Sequence, residues 1–327
     1  MVFYRFPGGG AVRAVPRGCV AVLGFFDGVH PGHRELVRVA RSFGRPVVAW
    51  TFFSGSRTGL LTDDETRFRL LGEAGVDFVA AADFEKLRDT DGPSFVKTRL
   101  LRELGISRAV FGDSFRFGKG AAWGADDLVA LCREAGIGCT VVPTVLSRGV
   151  PVSSSTLRKM ISAGDAEEAA RLLGRAHFYR LPVVRGKMLG RLLGFPTANQ
   201  IIPRELLTPA RGVYVCLASF EEDGKELRFP GVLNVGVCPT LTGEELARFK
   251  RDNPDYDLPD ESILGSEVME THMIGYSGDI YGRTLRVDLL RYLRPEKKFP
   301  STDDLRSSIL NDEKDALAYF ETRPDIK

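Results

Sequence analysis

Cysteine, histidine and tryptophan are scarce in this chain, and long apolar runs are missing. The five cysteines, Cys19, Cys132, Cys139, Cys216 and Cys238, form no CxxC pair and are odd in number. Reduced thiols in a reducing compartment are the simplest account of them. No apolar run approaches membrane-spanning length, and the opening MVFYRFPGGG lacks the basic-then-apolar layout of a signal peptide. The expectation is a cytoplasmic protein with no membrane partner. An excess of charge of one sign is lacking too, since 45 Lys and Arg against 43 Asp and Glu leave a formal net charge of +2. Without a global basic field, a basic stripe or an interleaved aromatic platform, nucleic acid is not an expected partner. The remaining composition, 43% hydrophobic and 27% charged, is that of an ordinary globular protein, and 327 residues suit two domains better than one.

Of only four histidines, two stand together at 30 and 33. The apolar run at 19–24 fits a strand buried on both faces, and Leu36, Val37, Ala40 and Phe43 fall on one side of a following helix. Between them lies a polar turn. Gly28 and Gly32 permit tight backbone geometry there, and the turn delivers Asp27, His30 and His33 to a helix start that favours an anion. Strand, Gly and His turn, and helix together suit a phosphate site whose imidazoles hydrogen-bond a polyphosphate. The plainer alternative is a surface turn with incidental histidines.

Downstream, strand-like and helical patterns alternate: a strand at 47–52, a helix after a Thr62/Glu65 capping box with Phe68, Leu71 and Ala74 inward, then strands at 76–80, 108–112 and 138–143 separated by helices at 94–104 and 126–135. Such alternation implies a parallel sheet covered on both faces, with ligands beyond the carboxyl ends of its strands. Ser153, Ser154, Ser155 and Arg158 begin another helix that resumes after Gly164. The hydroxyls are caps in the plain reading, and with the arginine one turn in they form a phosphate clamp in the functional one.

Beyond Gly174 strands follow one another, at 213–219, 231–237 and 284–293, and Leu285, Val287 and Leu289 alternate with Arg286, Asp288 and Leu290. An antiparallel barrel or sandwich is expected, with a domain boundary near residue 176 and a last helix capped by Ser301 with Asp304, burying Leu305, Ile309, Ala316 and Phe320. The polar stretch at 243–267 reads as a mobile excursion. Residues 185–199, RGKMLGRLLGFPTAN, set Gly186, Gly190 and Gly194 among Lys187 and Arg191, which suits a phosphate cradle or simply a glycine-rich hairpin. Thr197 and Asn199 offer hard neutral oxygens of the kind magnesium accepts beside substrate phosphates.

In combination, GFFDGVHPGH (24–33), FGDSFRFGKG (111–120), SSSTLR (153–158), LGFPTAN (193–199), GVLNVGVCPT (231–240), METH (269–272) and DIYGRTLRV with LRPEKKF (279–299) resemble the bifunctional prokaryotic riboflavin kinase/FAD synthetase (FMN adenylyltransferase) family over nearly the whole chain. The resemblance implies a Rossmann-like α/β nucleotidylyltransferase domain of the HxGH type over 1–176. An antiparallel β-barrel riboflavin kinase domain with a C-terminal helix would then follow over 177–327. It implies transfer of the γ-phosphoryl of ATP to riboflavin, giving FMN, and of AMP from a second ATP to FMN, giving FAD and pyrophosphate. Magnesium would serve both steps, which rest mainly on positioning and charge stabilisation.

Carried over by motif, the resemblance makes Glu270 the general base of the kinase, Thr197 and Asn199 its magnesium and phosphate residues, and Gly186 and Arg191 phosphate-side residues. It assigns His30 and His33, with Asp27, Gly28, Ser153, Ser154 and Arg158, to ATP in the transferase. Riboflavin, FMN, FAD and ATP are the implied small-molecule partners, with transient contacts to apo-flavoproteins. Three departures stand out: the loop at 53–59 lacks the histidine and proline common near the flavin, Ser114 replaces an Asn or Asp, and Ala121 replaces a frequent arginine. Cys238 stands where arginine is common. The stretch at 243–267, longer than usual, is a candidate lid for flavin entry. These departures leave open a riboflavin kinase with an impaired or altered transferase domain, and a flavin-binding or delivery protein.

Overall fold

The computed structural model describes residues 2–6, 10–185, 194–237 and 265–323, and the chain divides into two compact units, 1–157 and 158–327. In the first unit β1 (Val2–Arg5) and β2 (Gly10–Val12) form an antiparallel hairpin that hydropathy does not announce, being short and half-exposed. Then come β3 (Val20–Leu23), α1 (Pro31–Arg41), β4 (Val47–Phe52), α2 (Asp64–Glu73) and β5 (Phe78–Ala82). The helix α3 (Gly92–Ser94) continues with π-helical hydrogen bonding over Phe95–Leu104, followed by β6 (Arg108–Gly112), α4 (Ala125–Glu134) and β7 (Gly138–Val142).

The sheet order is β2-β1-β5-β4-β3-β6-β7, parallel from β5 to β7 with β1 and β2 added antiparallel at one edge. Every residue of β3 is buried, as its unbroken apolar run requires of a central parallel strand. Leu36, Val37 and Ala40 are the buried face of α1. Phe43, expected on that face, lies beyond the helix end, partly exposed, with the Arg108 guanidinium 4.4 Å from its ring centroid. The cap of α2 is Asp63, whose carboxylate accepts from Thr66 N–H, and not Thr62, whose hydroxyl is engaged elsewhere. A small hairpin of β8 (Leu146–Ser147) and β9 (Val150–Pro151) leads into α5 (Ser154–Ala163), which runs across the division of the chain.

The second unit continues with α6 (Ala166–Leu173), then β10 (His177–Pro182), β11 (Ala198–Ile201), β12 (Gly212–Glu222), β13 (Lys225–Val237), β14 (Glu267–Met273), β15 (Thr284–Arg294) and a final helix α7 (Thr302–Glu321). The six strands form an antiparallel sheet in the order β10-β15-β12-β13-β14-β11. An antiparallel bridge from Val184, just past β10, to Asn199 in β11 brings the two edges together into a barrel. Leu285, Val287 and Leu289 are fully buried along the inner face. On the outer face α7 lays Ala316, Tyr319 and Phe320 against Val213, Val215, Leu217 and Val232. Leu305 and Ile309, expected on the buried face, are only half-covered. Ser301 caps α7 as its spacing with Asp304 suggests, accepting from Asp304 N–H at 3.1 Å. The expected excursion at 243–267 falls outside the described residues except at its end, where Glu267 opens β14.

Candidate functional site

The turn at 25–33 leaves the carboxyl end of β3, the position at which open parallel sheets take ligands. It holds two non-glycine residues at positive φ, Phe26 at 62° and Val29 at 42°, besides Gly28 at 78°. A β-branched residue at such an angle is strained. Burial of Phe26 and Val29 and a dense set of hydrogen bonds hold it there. The Asp27 carboxylate accepts from Leu61 N–H at 2.9 Å and Thr62 N–H at 3.2 Å, while Gly28 N–H donates to the Thr62 hydroxyl. Ser154 donates to the Asp27 carbonyl at 2.8 Å, tying the start of α5 to the turn. A Cβ at Gly28 would come within 2.7 Å of Leu61 Cδ1, so glycine is required by space as well as by φ.

His30 and His33 emerge stacked, ring centroids 3.6 Å apart and planes 20° from parallel. Burial pulls the His30 imidazole down to about 4, and burial, then the charges of His30 and Arg67, hold His33 well below its ordinary value. Both rings are therefore neutral at physiological pH. The Nδ1 atom of each is buried without a hydrogen-bond partner among the described residues. Unsatisfied buried polar atoms cost free energy and recur where a ligand completes the site. Ser153 is the cap of α5, accepting from Thr156 N–H, and Arg158 stands one turn beyond Ser154, across the division of the chain.

Beside this turn opens a cavity of about 400 Å³, walled by Phe25, Trp50, Phe52, Phe84, Phe95, Phe115 and Phe117, with Arg57, Arg88, Arg99 and Arg116 among its lining residues. The loop at 53–59 contributes Arg57, whose guanidinium lies 4.6 Å from the centroid of Phe25 and 4.7 Å from that of Phe84. Arg116 donates to the Ala121 carbonyl, and Ala121 itself lines the cavity. Arg67, not singled out by sequence, lies beneath the turn with no exposed side-chain surface. It donates to the carbonyls of Phe25 and Phe52 and pairs with Asp64 at 2.6 Å. An arginine within the apolar pattern of α2 beside Phe68 and Leu71 was the signal available.

In the second unit, strand register assembles a polar row. Asn199 on β11 lies opposite Glu270 on β14, which lies opposite Asn234 on β13. Directly opposed residues share a face, and the flanking Ala198, Thr271 and Leu233 point into the buried interior. The row is thus on the outer face, where Asn234 donates to Glu296 at 3.4 Å and Asn199 to the Thr197 carbonyl at 3.3 Å. Thr197 and Asn199 also line a cavity of about 250 Å³ with Tyr276, Asp279 and Tyr281. Asn234 was not anticipated as a site residue, since only the pairing of β13 with β14 brings it to Glu270, nor was Glu296, which lies just past β15 and meets the row through Asn234. Gly186, Arg191 and Cys238 lie outside the described residues.

A riboflavin kinase family model matches residues 173–320 and an FAD synthetase family model matches residues 12–156. The bifunctional riboflavin kinase/FMN adenylyltransferase of Escherichia coli K12 is 31% identical over 322 residues, covering 94% of this chain and 95% of its own. That of Pseudomonas fluorescens is 33% identical over 311 residues, covering 91% and 92%. A crystal structure described as a macrolide-efflux protein from Streptococcus pneumoniae superposes with a TM-score of 0.75 at 27% identity, covering 93% of this chain and 95% of that one. Among the described residues, no helix is long and apolar enough to cross a membrane. The two family matches define a flavin-nucleotide transferase. The chain belongs to the bifunctional riboflavin kinase/FMN adenylyltransferase family, and it converts riboflavin to FMN and FMN to FAD at the expense of ATP.

Proposed function

We propose that the two activities use two separate residue sets, the HxGH turn for adenylyl transfer and the Asn199–Glu270–Asn234 row for phosphoryl transfer, in domains spanning 1–176 and 177–327. The observation that carries the first assignment is the stacked pair of neutral imidazoles with unpartnered Nδ1 atoms at the end of β3. His30 and His33 hydrogen-bond the triphosphate of ATP as charge shifts toward the leaving pyrophosphate. Ser154 and Asp27 hold the turn, and Gly28 lets it close. Arg158 supplies phosphate-side charge. The aromatic cavity beside the turn accepts the isoalloxazine of FMN, with Arg57 closing over Phe25 in place of a histidine and proline loop.

In the second unit Glu270 takes the proton from the ribityl hydroxyl as it attacks ATP. Gly186 and Arg191 serve the phosphates. Thr197 and Asn199 fit magnesium: two neutral oxygens at the head of β11, with a carboxylate across the register, match an ion that keeps waters and substrate phosphates around it. When bound, the ion neutralises charge on the transferring phosphates. A cytoplasmic location accords with the free thiols of Cys19, Cys132, Cys139 and Cys216.

The test is a chromatographic product assay with riboflavin, ATP and magnesium chloride, repeated from FMN. Replacing His30 and His33 with alanine should stop FAD formation and leave FMN formation intact, and Glu270→Gln should do the reverse. Loss, in one and the same variant, of FMN formation from riboflavin and of FAD formation from added FMN would refute separate sites.

A further inference from the structure

The fourth histidine of the chain sits two residues beyond Glu270 on β14, on the same outer face, and three contacts converge on it. His272 Nδ1 lies 3.0 Å from the carbonyl oxygen of Pro196. A carbonyl only accepts, so the hydrogen is on Nδ1. The ring edge meets Phe195 at a centroid distance of 5.5 Å and an interplanar angle of 85°. Nε2 faces Glu313 of α7 at 4.0 Å, and the adjacent Asp312, itself buried, is locked to Arg294 at the end of β15 by a two-pronged ion pair. Across the strand pair His272 is opposite Val232, which belongs to the cluster under α7.

Thr197 follows Pro196 directly, and it precedes the first residue of β11. In the described residues the ladder of β11 and β14 runs from Ile201 opposite Val268 to Ala198 opposite Thr271 and then stops. His272 is the next residue of β14 past that last pair, so its side chain takes over the link where the backbone ladder ends. Phe195, buried against the ring, keeps the segment from lifting away.

We propose that His272 is a positioning residue for the kinase, holding the Phe195–Pro196–Thr197 segment through its Nδ1–H bond to the Pro196 carbonyl so that Thr197 and Asn199 stand in fixed relation to Glu270. The inference rests on the assignment of Thr197 and Asn199 to the magnesium and phosphates of ATP. Its chemistry is that of a second layer around a metal and phosphate site, where loss of one orienting group commonly lowers activity or metal affinity by 10- to 100-fold.

The experiment uses the full chain and measures FMN formation from riboflavin over a range of magnesium chloride and ATP concentrations, with FAD formation from FMN as internal control and a melting temperature for each variant. His272→Ala should lower kinase kcat about 10- to 100-fold and raise the magnesium needed for half-maximal rate, with FAD formation unchanged. His272→Asn, which keeps a donor at the same distance from the backbone, should restore the rate to within about threefold of the parent.

An alanine variant with unaltered kcat and magnesium dependence overturns the proposal. So does an asparagine variant as impaired as alanine at an undiminished melting temperature. Asn199→Ala separates the two layers of the inference: if it leaves magnesium dependence untouched, the underlying assignment fails whatever His272 does. If Asn199→Ala is impaired and His272→Ala is not, only the positioning role fails.

Discussion

The proposed role of His30 and His33 uses them as neutral donors, and their neutrality has a measurable consequence. Burial lowers His30 from an ordinary 6.5 to about 4 and the buried barrel residue His177 to about 3. The folded protein therefore releases protons that the unfolded chain binds. Stability is complete above pH 6.5 and is lost as pH falls from there toward 4 and 3. Between pH 7.5 and 5 each histidine should remove about 2 kcal/mol, to be read from urea midpoints. The variant His30→Gln, His177→Gln should show a flatter decline over that interval, and an equal decline would contradict the burial account. The HPGH spacing made the histidines legible, but neither their stacking nor the strained φ of Val29 beside them is advertised by residue type. Arg67 was hidden for another reason. A charged residue on an apolar stripe looks like an interruption until the carbonyls of Phe25 and Phe52 are seen converging on it.

At the scale of elements, the turn after β3 is stable only because α2 and α5 arrive to hold it. Asp27 illustrates this. The resemblance assigned it to the turn that holds ATP, and its carboxylate accepts from the N–H groups of Leu61 and Thr62 just ahead of α2. Asp27→Asn would turn an amide toward those donors, removing about 1–3 kcal/mol from local stability. It should cut FAD formation at least tenfold, while FMN formation is retained. A variant with normal FAD formation would mean the turn is held by other means. Strand β14 follows the same logic. Its motif METH marked Glu270, but Asn234 was invisible because its nearness depends on pairing between strands distant in sequence, and Glu296 because it meets the row only through the Asn234 side chain. Glu270→Gln should lower kinase kcat about 10²- to 10⁴-fold with little change in melting temperature.

For the whole molecule, alternation of strands and helices followed by strands alone was enough to separate an α/β half from an antiparallel half. The β1 and β2 hairpin escaped because four and three half-exposed residues carry too little periodicity. Two independent residue sets also predict complementation. A chain lacking His30 and His33 makes FMN, a chain carrying Glu270→Gln makes FAD from FMN, and a mixture of the two should make FAD from riboflavin through FMN released into solution. Failure of the mixture, with each half-reaction intact, would show that FMN does not leave the protein between steps.

The register that places Asn199, Glu270 and Asn234 abreast also decides which changes of length the gene can tolerate. Because strand residues alternate faces, one residue added or removed between Glu267 and Glu270 would turn the carboxylate into the barrel interior and bring Met269 or Thr271 outward. A change of two would restore the face but shift the pairing. Insertions in this strand should therefore be silent in no case, whereas lineages can lengthen or shorten the chain freely only where no register is being counted.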